Sequence, residues 1–410
     1  MIMRGTVSNR GYQEVPGGIC AVPGFKAAGV YAGLRKRPGS VDVALVDAGE
    51  VVTAAGVFTQ NIFCAAPVTV DREHIADGHA RAIIVNSAIA NAATGEPGLV
   101  NARKTAEAVA AGLGCEPADV LVCSTGVIGV QLDMDKLLGA VPDAIEALSE
   151  EGGAAAARAI MTTDTVSKEC AFTYGFGGRT YTIGGMCKGS GMIMPDMATM
   201  IAVLTTDAPV APKAAYVALK RAADISFNKV TVDSDTSTND TCLLLSKGAG
   251  EQFDEGSEAF EAFCAALSHV CECLARMIAA DGEGATKLVT VTVTGAASDE
   301  DADLCARAIA NSPLVKCAVA GHDANWGRIA GAAGRSGATF RQEDVDIDIV
   351  GIPVMRKGLP VPFDEDAARA GFEPAEVELA IDLGAGECST RMWTCDFTHG
   401  YISINADYRS

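Results

Sequence analysis

Two hydrophobic periods alternate along the chain and predict a mixture of helices and strands. Apolar residues spaced by three and four positions predict helices over 101–113, 137–148, 154–161, 213–223 and 299–310 and, most regularly, 260–277. Short apolar or alternating runs predict strands after Ser312 and over 41–46, 56–59, 82–85, 117–123, 201–204, 288–294, 345–350, 377–383 and 401–405. The run 172–184 alternates around Gly177 and Gly178, which predicts a hairpin.

Length and composition indicate a large protein with an aliphatic core. The 410 residues suffice for two or three domains, or for one large domain with a smaller partner. Apolar residues make up 49% of the chain and aromatic residues only 5%, so we expect a core of Ala, Val, Leu and Ile. The formal charge of −20 disfavours nucleic acid and anionic membranes as partners.

The cysteines and histidines form no metal-binding pattern in the sequence. Fourteen cysteines are scattered singly without a CxxC motif, and there are five histidines. We therefore expect buried, reduced thiols and no metal. The N-terminal residues lack the apolar segment of a signal peptide, and no run of 18 apolar residues occurs, so we expect a soluble, cytoplasmic protein.

One stretch contains a candidate nucleophile. Residues 188–206, KGSGMIMPDMATMIAVLTT, pass from a glycine-rich run into a buried strand, and Thr199 lies where the loop enters that strand. The strand would fix the reacting atom while the loop leaves it accessible. A threonine hydroxyl needs a base, and cleavage of the Ala198–Thr199 bond would supply the residue's own α-amino group. Taken alone, Thr199 favours the interpretation as an ordinary strand residue, because threonine is frequent in strands.

The flanking residues favour the nucleophile. KGSGMIMPDMATM strongly resembles the self-cleavage site of the ornithine acetyltransferases (glutamate N-acetyltransferases) of arginine biosynthesis, which carry KG(S/A)GM-x-x-P-x-x-ATM. Met194 and Asp196 stand where this family often has His and Asn, and the charge of Asp196 would affect cleavage. The resemblance covers essentially the whole chain, with further matching segments at 55–61, 86–92, 233–240, 281–287 and 321–329. In the segment 86–92, Ala88 and Ile89 replace the usual Gly and Asn.

The resemblance implies a fold and an activity. The fold would be α+β, with mixed sheets layered with helices as in N-terminal-nucleophile aminopeptidases, and with a smaller C-terminal α/β part. Self-cleavage would give chains 1–198 and 199–410, two of each in the assembly. The activity would be transfer of an acetyl group from N2-acetylornithine to glutamate through acetyl-Thr199, without a tightly bound cofactor. The sequence leaves open whether acetyl-CoA is a second acetyl donor.

The resemblance also implies residue roles. Thr125 and Gly126, at a turn after a predicted strand, would form the oxyanion hole. Lys188 would pair with a substrate carboxylate and Glu283 with the ornithine ammonium. The full set of implied substrate contacts is Thr162 (with Thr163 as the alternative), Lys188, Thr199, Glu283, Asn405 and Ser410, the last replacing a terminal Thr of the family.

Three other interpretations remain open from the sequence. An N-terminal-nucleophile aminopeptidase or amidohydrolase of related fold would pass the acyl group to water. A phosphate-binding protein could use the glycine-rich segment 188–191, although this segment lacks the GK(S/T) ending of a phosphate loop. A non-catalytic binding protein descended from such an enzyme would keep the chain uncut.

Overall fold

The structure, a computed structural model, describes residues 11–35, 37–194 and 200–407 in two compact units. Of these residues, the larger unit contains 11–228 and 235–274, and the smaller unit contains 229–234 and 275–407. The predicted cleavage point lies between residues 194 and 200, which both belong to the larger unit. Compact units and predicted cleavage products therefore divide the chain differently.

The larger unit is built on one mixed sheet. Its strands are β1 (Gln13–Glu14), β2 (Lys26–Val30), β3 (Val43–Phe58), β4 (His79–Asn86), β5 (Val120–Ser124), β6 (Lys168–Phe176), β7 (Arg179–Lys188), β8 (Ile201–Thr206) and β9 (Thr241–Ser246). They follow the order β1-β6-β7-β8-β9-β3-β4-β5, and β2 pairs with β3 outside this path. The pairs β8–β9 and β4–β5 are parallel, whereas β7–β8 and β9–β3 are antiparallel.

Helices cover this sheet. They are α1 (Ala66–His74), α2 (Gly95–Leu113), α3 (Met134–Glu146), α4 (Gly153–Ala159), α5 (Pro212–Ile225) and the long α6 (Glu258–Ala280), within which the boundary between the units falls. Apolar side chains of α2 and α3 pack with Val43, Leu45 and Ile84 of the sheet. Because strands buried on both faces need apolar residues at every position, the central strands are almost continuously apolar.

Strand β3 is bent, and this bend organises the larger unit. Its first half pairs with β2 and β4, and its second half pairs with β9. Between them the pairing with β4 shifts register after Asp47, and Gly49, Glu50 and Val51 are exposed. One buried cluster joins residues of both halves of the sheet, among them Val46, Ile83, Leu121, Val203 and Leu243. The halves therefore face each other across a shared core, between outer layers of helices.

The smaller unit is a six-stranded sheet with helices. Its elements are β10 (Leu288–Ala296), α7 (Asp299–Ala310), α8 (Pro313–Ala320), α9 (Trp326–Gly334), β11 (Asp346–Ile349), β12 (Ile352–Arg356), β13 (Leu359–Pro360), α10 (Glu365–Gly371), β14 (Glu376–Asp382), β15 (Cys388–Cys395) and α11 (His399–Asp407). The strand order is β13-β12-β11-β14-β10-β15, with β10 and β14 parallel. The predicted α+β fold with a smaller C-terminal part is confirmed.

Most predicted elements are present with shifted ends. The helix predicted over 101–113 begins earlier, at Gly95, and ends at Leu113 as predicted, where Gly114 closes the last turn with φ of 72°. The hairpin over 172–184 is β6–β7, and Gly177 and Gly178 have φ of 57° and 76° as its turn requires. The two strands predicted over 41–46 and 56–59 are instead the single bent strand β3, because the turn between them bends the strand without ending it.

Two strand predictions were wrong. The segment after Ser312 forms α8, since Pro313 suits the first helical position and the Ser312 hydroxyl accepts a hydrogen bond from Val315 N. The segment 401–405 lies in α11. Its alternating pattern does not reflect a buried face, because Ile402 is 67% exposed and Ile404 36%. Alternation predicts a strand only where one set of side chains packs against a core.

Helix α6 is long and apolar enough to cross a membrane by length and composition alone. However, 72% of its most apolar window is buried inside the protein. Its buried side chains include Phe260, Phe263, Leu267 and Val270. This is the pattern of a core helix, as the regular spacing over 260–277 predicted.

All fourteen cysteines are free thiols in the structure. Eight are buried and only Cys317 is exposed. Burial raises the pKa of Cys20 and of Cys264 to about 11, which keeps these thiols protonated and unreactive near neutral pH. Among the described residues, no group of three or more His, Cys, Asp or Glu side chains is arranged to hold a metal ion.

Candidate active site

Thr125 and Gly126 lie in the loop that follows β5, against the segment that follows β4. Thr125 N donates to Asn86 O (3.0 Å) and Val127 N donates to Ala88 O (2.9 Å). The N–H of Thr125 is thus occupied, so its hydroxyl is the group this residue can offer to a ligand. Gly126 has φ of 130°, and a Cβ there would lie 2.1 Å from Ala88 C. Only glycine fits this turn, which leaves the Gly126 backbone N–H as the second predicted oxyanion donor.

Lys188 ends β7 beside Thr125. Its Nζ is 3.4 Å from Thr125 Oγ1, and both residues are buried. In the antiparallel pairing of β7 with β8, Lys188 lies opposite Ile201, two positions after Thr199 in the sequence. Thr199 and Ala198 themselves lie outside the described residues, as does Ser410. The structure therefore brings Lys188 to the loop of Thr125 and Gly126 and to strand β8, which follows the predicted nucleophile in the sequence.

Asp164 connects Thr162 to the residues around Lys188. Its carboxylate accepts hydrogen bonds from Thr162 N (2.9 Å), Gly189 N (2.8 Å) and Lys168 Nζ (2.7 Å). Burial by itself would raise the pKa of Asp164, but the charges of Lys168 and Lys188 and the hydrogen bonds hold that pKa below its ordinary value. Asp164 is therefore a buried carboxylate. No sequence motif marks this residue.

Residues 236–241, most of which belong to the family-matching segment 233–240, make several long-range hydrogen bonds within the larger unit. Thr236 Oγ1 donates to Met194 O (2.9 Å), and Asn239 Nδ2 donates to Ala90 O (2.6 Å) and Ser124 O (2.8 Å). On the far side of the predicted cleavage point, Thr241 N donates to Met200 O (2.9 Å). Residues 236–241 thus hold the end of β5, where the loop of Thr125 and Gly126 begins, and both described flanks of the predicted cleavage point.

In the smaller unit the structure pairs two other predicted contacts. Asn405 Nδ2 donates to Glu283 Oε2 (2.8 Å), and Glu283 is 7% exposed. Asp396 accepts from Thr286 N (2.7 Å), Thr286 Oγ1 (2.6 Å) and Lys287 N (3.0 Å), which fixes the turn that carries Glu283. Asn405 occupies this position from a helix, although the sequence predicted a strand.

The phosphate-loop interpretation does not fit the geometry of residues 188–191. A phosphate loop joins a strand to a helix and offers free backbone N–H groups to the anion. Here Lys188 ends a strand whose neighbour is the antiparallel β8, and Gly189 N already donates to the Asp164 carboxylate. A buried carboxylate at this place would repel a phosphate.

Comparison with known proteins gives consistent matches over the chain. The model of the ArgJ family matches residues 26–410. The arginine biosynthesis bifunctional protein ArgJ of Symbiobacterium thermophilum is 49% identical over 397 residues, which cover 96% of this chain and 99% of the relative. The ArgJ protein of Bacillus subtilis is 44% identical over 402 residues, 97% of this chain and 98% of the relative.

A solved structure also matches. The crystal structure of the arginine biosynthesis bifunctional protein ArgJ from Bacillus halodurans is 42% identical, with a TM-score of 0.48. The match covers 50% of this chain and 97% of that chain.

We predict that Ala88→Gly stabilises the protein. Ala88 has φ of 93°, which L-residues rarely adopt, and its backbone packs against Gly126. Relief of this backbone strain should stabilise the folded state by roughly 1–2 kcal/mol. The greater chain entropy of glycine in the unfolded state offsets part of this, so the free energy of unfolding should rise by about 0.5–1 kcal/mol. Thermal or urea unfolding measures it. Ala90→Gly, in the same segment but without positive φ, is the control and should destabilise; equal effects of the two changes would contradict the strain argument.

Proposed function

Because the chain belongs to the ArgJ family, as its sequence motifs indicated, we propose that it transfers the acetyl group of N2-acetylornithine to glutamate. The products are ornithine and N-acetylglutamate. The relatives that match nearly full length are named arginine biosynthesis bifunctional proteins. We further propose that the second activity is acetylation of glutamate with acetyl-CoA as the donor, without a tightly bound cofactor.

The observation that carries the proposal is the convergence of polar groups in the larger unit near the described residues that flank the predicted cleavage point. The Lys188 ammonium lies beside the Thr125 hydroxyl. The Asp164 carboxylate accepts a hydrogen bond from the Thr162 backbone and also interacts with the charge of Lys188. The loop of Thr236 and the first residue of β9 hold Met194 and Met200, which flank the predicted cut. A hydroxyl donor and a cation near the reacting carbonyl can stabilise the oxyanion that forms during acyl transfer.

The proposed reaction begins with the chain itself. Thr199 Oγ attacks the Ala198 carbonyl, and hydrolysis of the resulting ester gives chains 1–198 and 199–410, which stay associated, with two copies of each in the assembly. The new α-amino group, with an ordinary pKa of about 7.7–8.0, then acts as the base for the Thr199 hydroxyl near neutral pH.

Two half-reactions follow on Thr199. Its Oγ attacks the acetyl carbonyl of N2-acetylornithine while Thr125 and Gly126 stabilise the oxyanion, and ornithine leaves. The amine of glutamate then attacks the acetyl-Thr199 ester and regenerates the hydroxyl. Lys188 binds the substrate carboxylate and Glu283 the ornithine ammonium, with Thr162, Asn405 and Ser410 as further contacts. Pairing both charges gives specificity, since a wrong substrate leaves a buried charge unpaired.

The activity itself is tested with the purified protein. N2-acetylornithine or acetyl-CoA is supplied with glutamate, and N-acetylglutamate and free acetate are quantified. We expect N-acetylglutamate as the main product from either donor. Acetate as the main product would favour the aminopeptidase or amidohydrolase interpretation, and no product from acetyl-CoA would restrict the protein to the ornithine-dependent reaction.

The nucleophile is tested by intact mass of the denatured protein. We expect two chains from the wild type and from Thr199→Ser, which keeps a hydroxyl and an α-amine. Thr199→Ala should remain one chain and transfer no acetyl group, because it has no oxygen to attack Ala198. A wild-type protein that is uncut yet active would contradict the mechanism, and one that is uncut and inactive would favour a non-catalytic binding protein.

The oxyanion hole is tested at Thr125, whose N–H is occupied by Asn86. Thr125→Val keeps the side-chain shape but lacks the hydroxyl, so we expect kcat to fall by about 10²–10³, the usual effect of losing one oxyanion donor. Thr125→Ser keeps the hydroxyl, so its kcat should stay within about tenfold of the wild-type kcat. Similar rates for the Val variant and the wild type would remove the hydroxyl from the mechanism.

A further inference from the structure

Strand β5 leads into the loop of Thr125 and Gly126 and lies at an edge of its sheet. It comes last in the strand order, and β4 is its only strand partner among the described residues. The N–H and C=O groups on its other edge therefore have no strand to bind. Because β5 is buried at every position, water cannot replace that strand, and each unpaired group would be costly.

Two side chains of α1 take the place of a neighbouring strand. Asp71 Oδ1 accepts a hydrogen bond from Val122 N at 2.7 Å, and His74 Nδ1 lies 2.8 Å from Val120 O. A carbonyl oxygen can only accept, so His74 Nδ1 carries the proton and donates. Asp71 and His74 are three positions apart and share one face of the helix. Together they bind alternate residues of β5, as the next strand of a sheet would.

The same edge is held again directly before Thr125. Asn239 Nδ2 donates to Ser124 O at 2.8 Å, so every second residue of β5 is bound from this side. On the opposite side, Thr125 N donates to Asn86 O at 3.0 Å and continues the pairing of β4 with β5. Hydrogen bonds on both edges of the strand thus set the position of Thr125.

Asp71 is a costly residue at this position. Its side chain is completely buried, and Oδ2 has no hydrogen-bond partner among the described residues. Burial raises the pKa of Asp71 well above its ordinary value, and the hydrogen bond from Val122 N offsets only part of this rise. A leucine would fill a similar space without burying polar oxygens, but it would leave Val122 N unpaired. The feature that distinguishes Asp71 here is therefore its acceptor oxygen.

We infer that Asp71 and His74 are positioning residues for the loop of Thr125 and Gly126. By replacing a neighbouring strand they fix β5, and the loop begins where β5 ends. The Thr125 hydroxyl and the Gly126 N–H then keep fixed positions, as donors to an oxyanion must. This inference rests on the proposed function for the role of the loop as an oxyanion hole. It extends that role to the helix that holds β5 in place.

The kinetic test compares two replacements of Asp71 that are similar in size. Asp71→Asn keeps an oxygen that accepts from Val122 N, whereas Asp71→Leu has none. We expect kcat of Asp71→Leu to fall by about ten- to a hundredfold with KM nearly unchanged, because displaced oxyanion donors weaken transition-state stabilisation more than substrate binding. Asp71→Asn should keep kcat close to the wild-type value. A wild-type kcat in Asp71→Leu, or an equal loss in Asp71→Asn, would overturn the inference.

A double-variant comparison separates positioning from a general loss of stability. Rates are divided by the cleaved fraction from intact mass. If Asp71 acts through the Thr125 hydroxyl, Asp71→Leu should lower kcat by less than about threefold in a Thr125→Val background. The same loss in both backgrounds would contradict the inference. Ser246→Ala is the control, since it removes a buried hydrogen bond to Ala208 O, and it should lower thermal stability without changing kcat.

His74 provides a second pair of variants if Asp71→Leu gives no folded protein. His74→Asn can place its amide N–H where Nδ1 donates to Val120 O, whereas His74→Phe has no donor. We expect kcat to fall in His74→Phe and to be restored in His74→Asn. Equal kcat values for these two variants would count against the inference.

Hydrogen exchange separates this inference from the proposed function, because it requires neither cleavage nor turnover. The Thr125 amide is bonded to Asn86 and not to Asp71. We expect it to exchange at least about tenfold faster in Asp71→Leu and at the wild-type rate in Asp71→Asn and Ser246→Ala. This result supports the inference even where no acetyl transfer is detected, in which case the proposed function alone fails. Unchanged exchange in Asp71→Leu overturns the inference even where acetyl transfer proceeds.

Discussion

The bend in β3 is the constraint on which the candidate site depends. The first residue of β3 pairs with Asn86 at the end of β4, and its last residue pairs with Thr241 at the start of β9. Because the strand bends between these halves, the two strand ends meet at one place. Asn239, two residues before Thr241, donates to Ser124 O at the end of β5. Without the bend, the loop of Thr125 and Gly126 and the beginning of β8 would lie far apart.

Burial on both sides of the sheet determines where polar groups can be placed. The interior of the larger unit is apolar, so charged groups survive there only when their partners are complete. At the ends of β4, β5 and β7 the backbone leaves the ladder, and the freed N–H and C=O groups are satisfied by Asn86, Asn239 and Asp164. The same partners hold Thr125, Thr162 and Lys188. Folding and the arrangement of the site thus use one set of hydrogen bonds.

In the smaller unit, too, hydrogen-bonded polar groups fix a turn, the one that follows Glu283. Gly284 has φ of 71°, and a Cβ there would lie 2.4 Å from Tyr401 N, so the turn after Glu283 closes against α11. Asp396 accepts a hydrogen bond from Thr286 N, and Thr398 Oγ1 donates one to Gly284 O. These two bonds fix the backbone of the turn. Glu283 is thereby held with its carboxylate against Asn405. The rigidity of this carboxylate comes from neighbours that the sequence motif does not include.

The sequence by itself determined the family, the element types of the long periodic segments and the set of residues to examine. Those signals are local: a glycine-rich run before ATM, a three-to-four spacing over 260–277, a Gly-Gly turn. The tertiary structure decided which of these residues meet. Asp164 and Asn239 matter through contacts that cross 25 and 149 positions, and the bend of β3 and the helix at 399–407 depend on what packs beside them. A local pattern indicates which side of a helix or strand is buried. Which residue packs against that side depends on the folding of the whole chain.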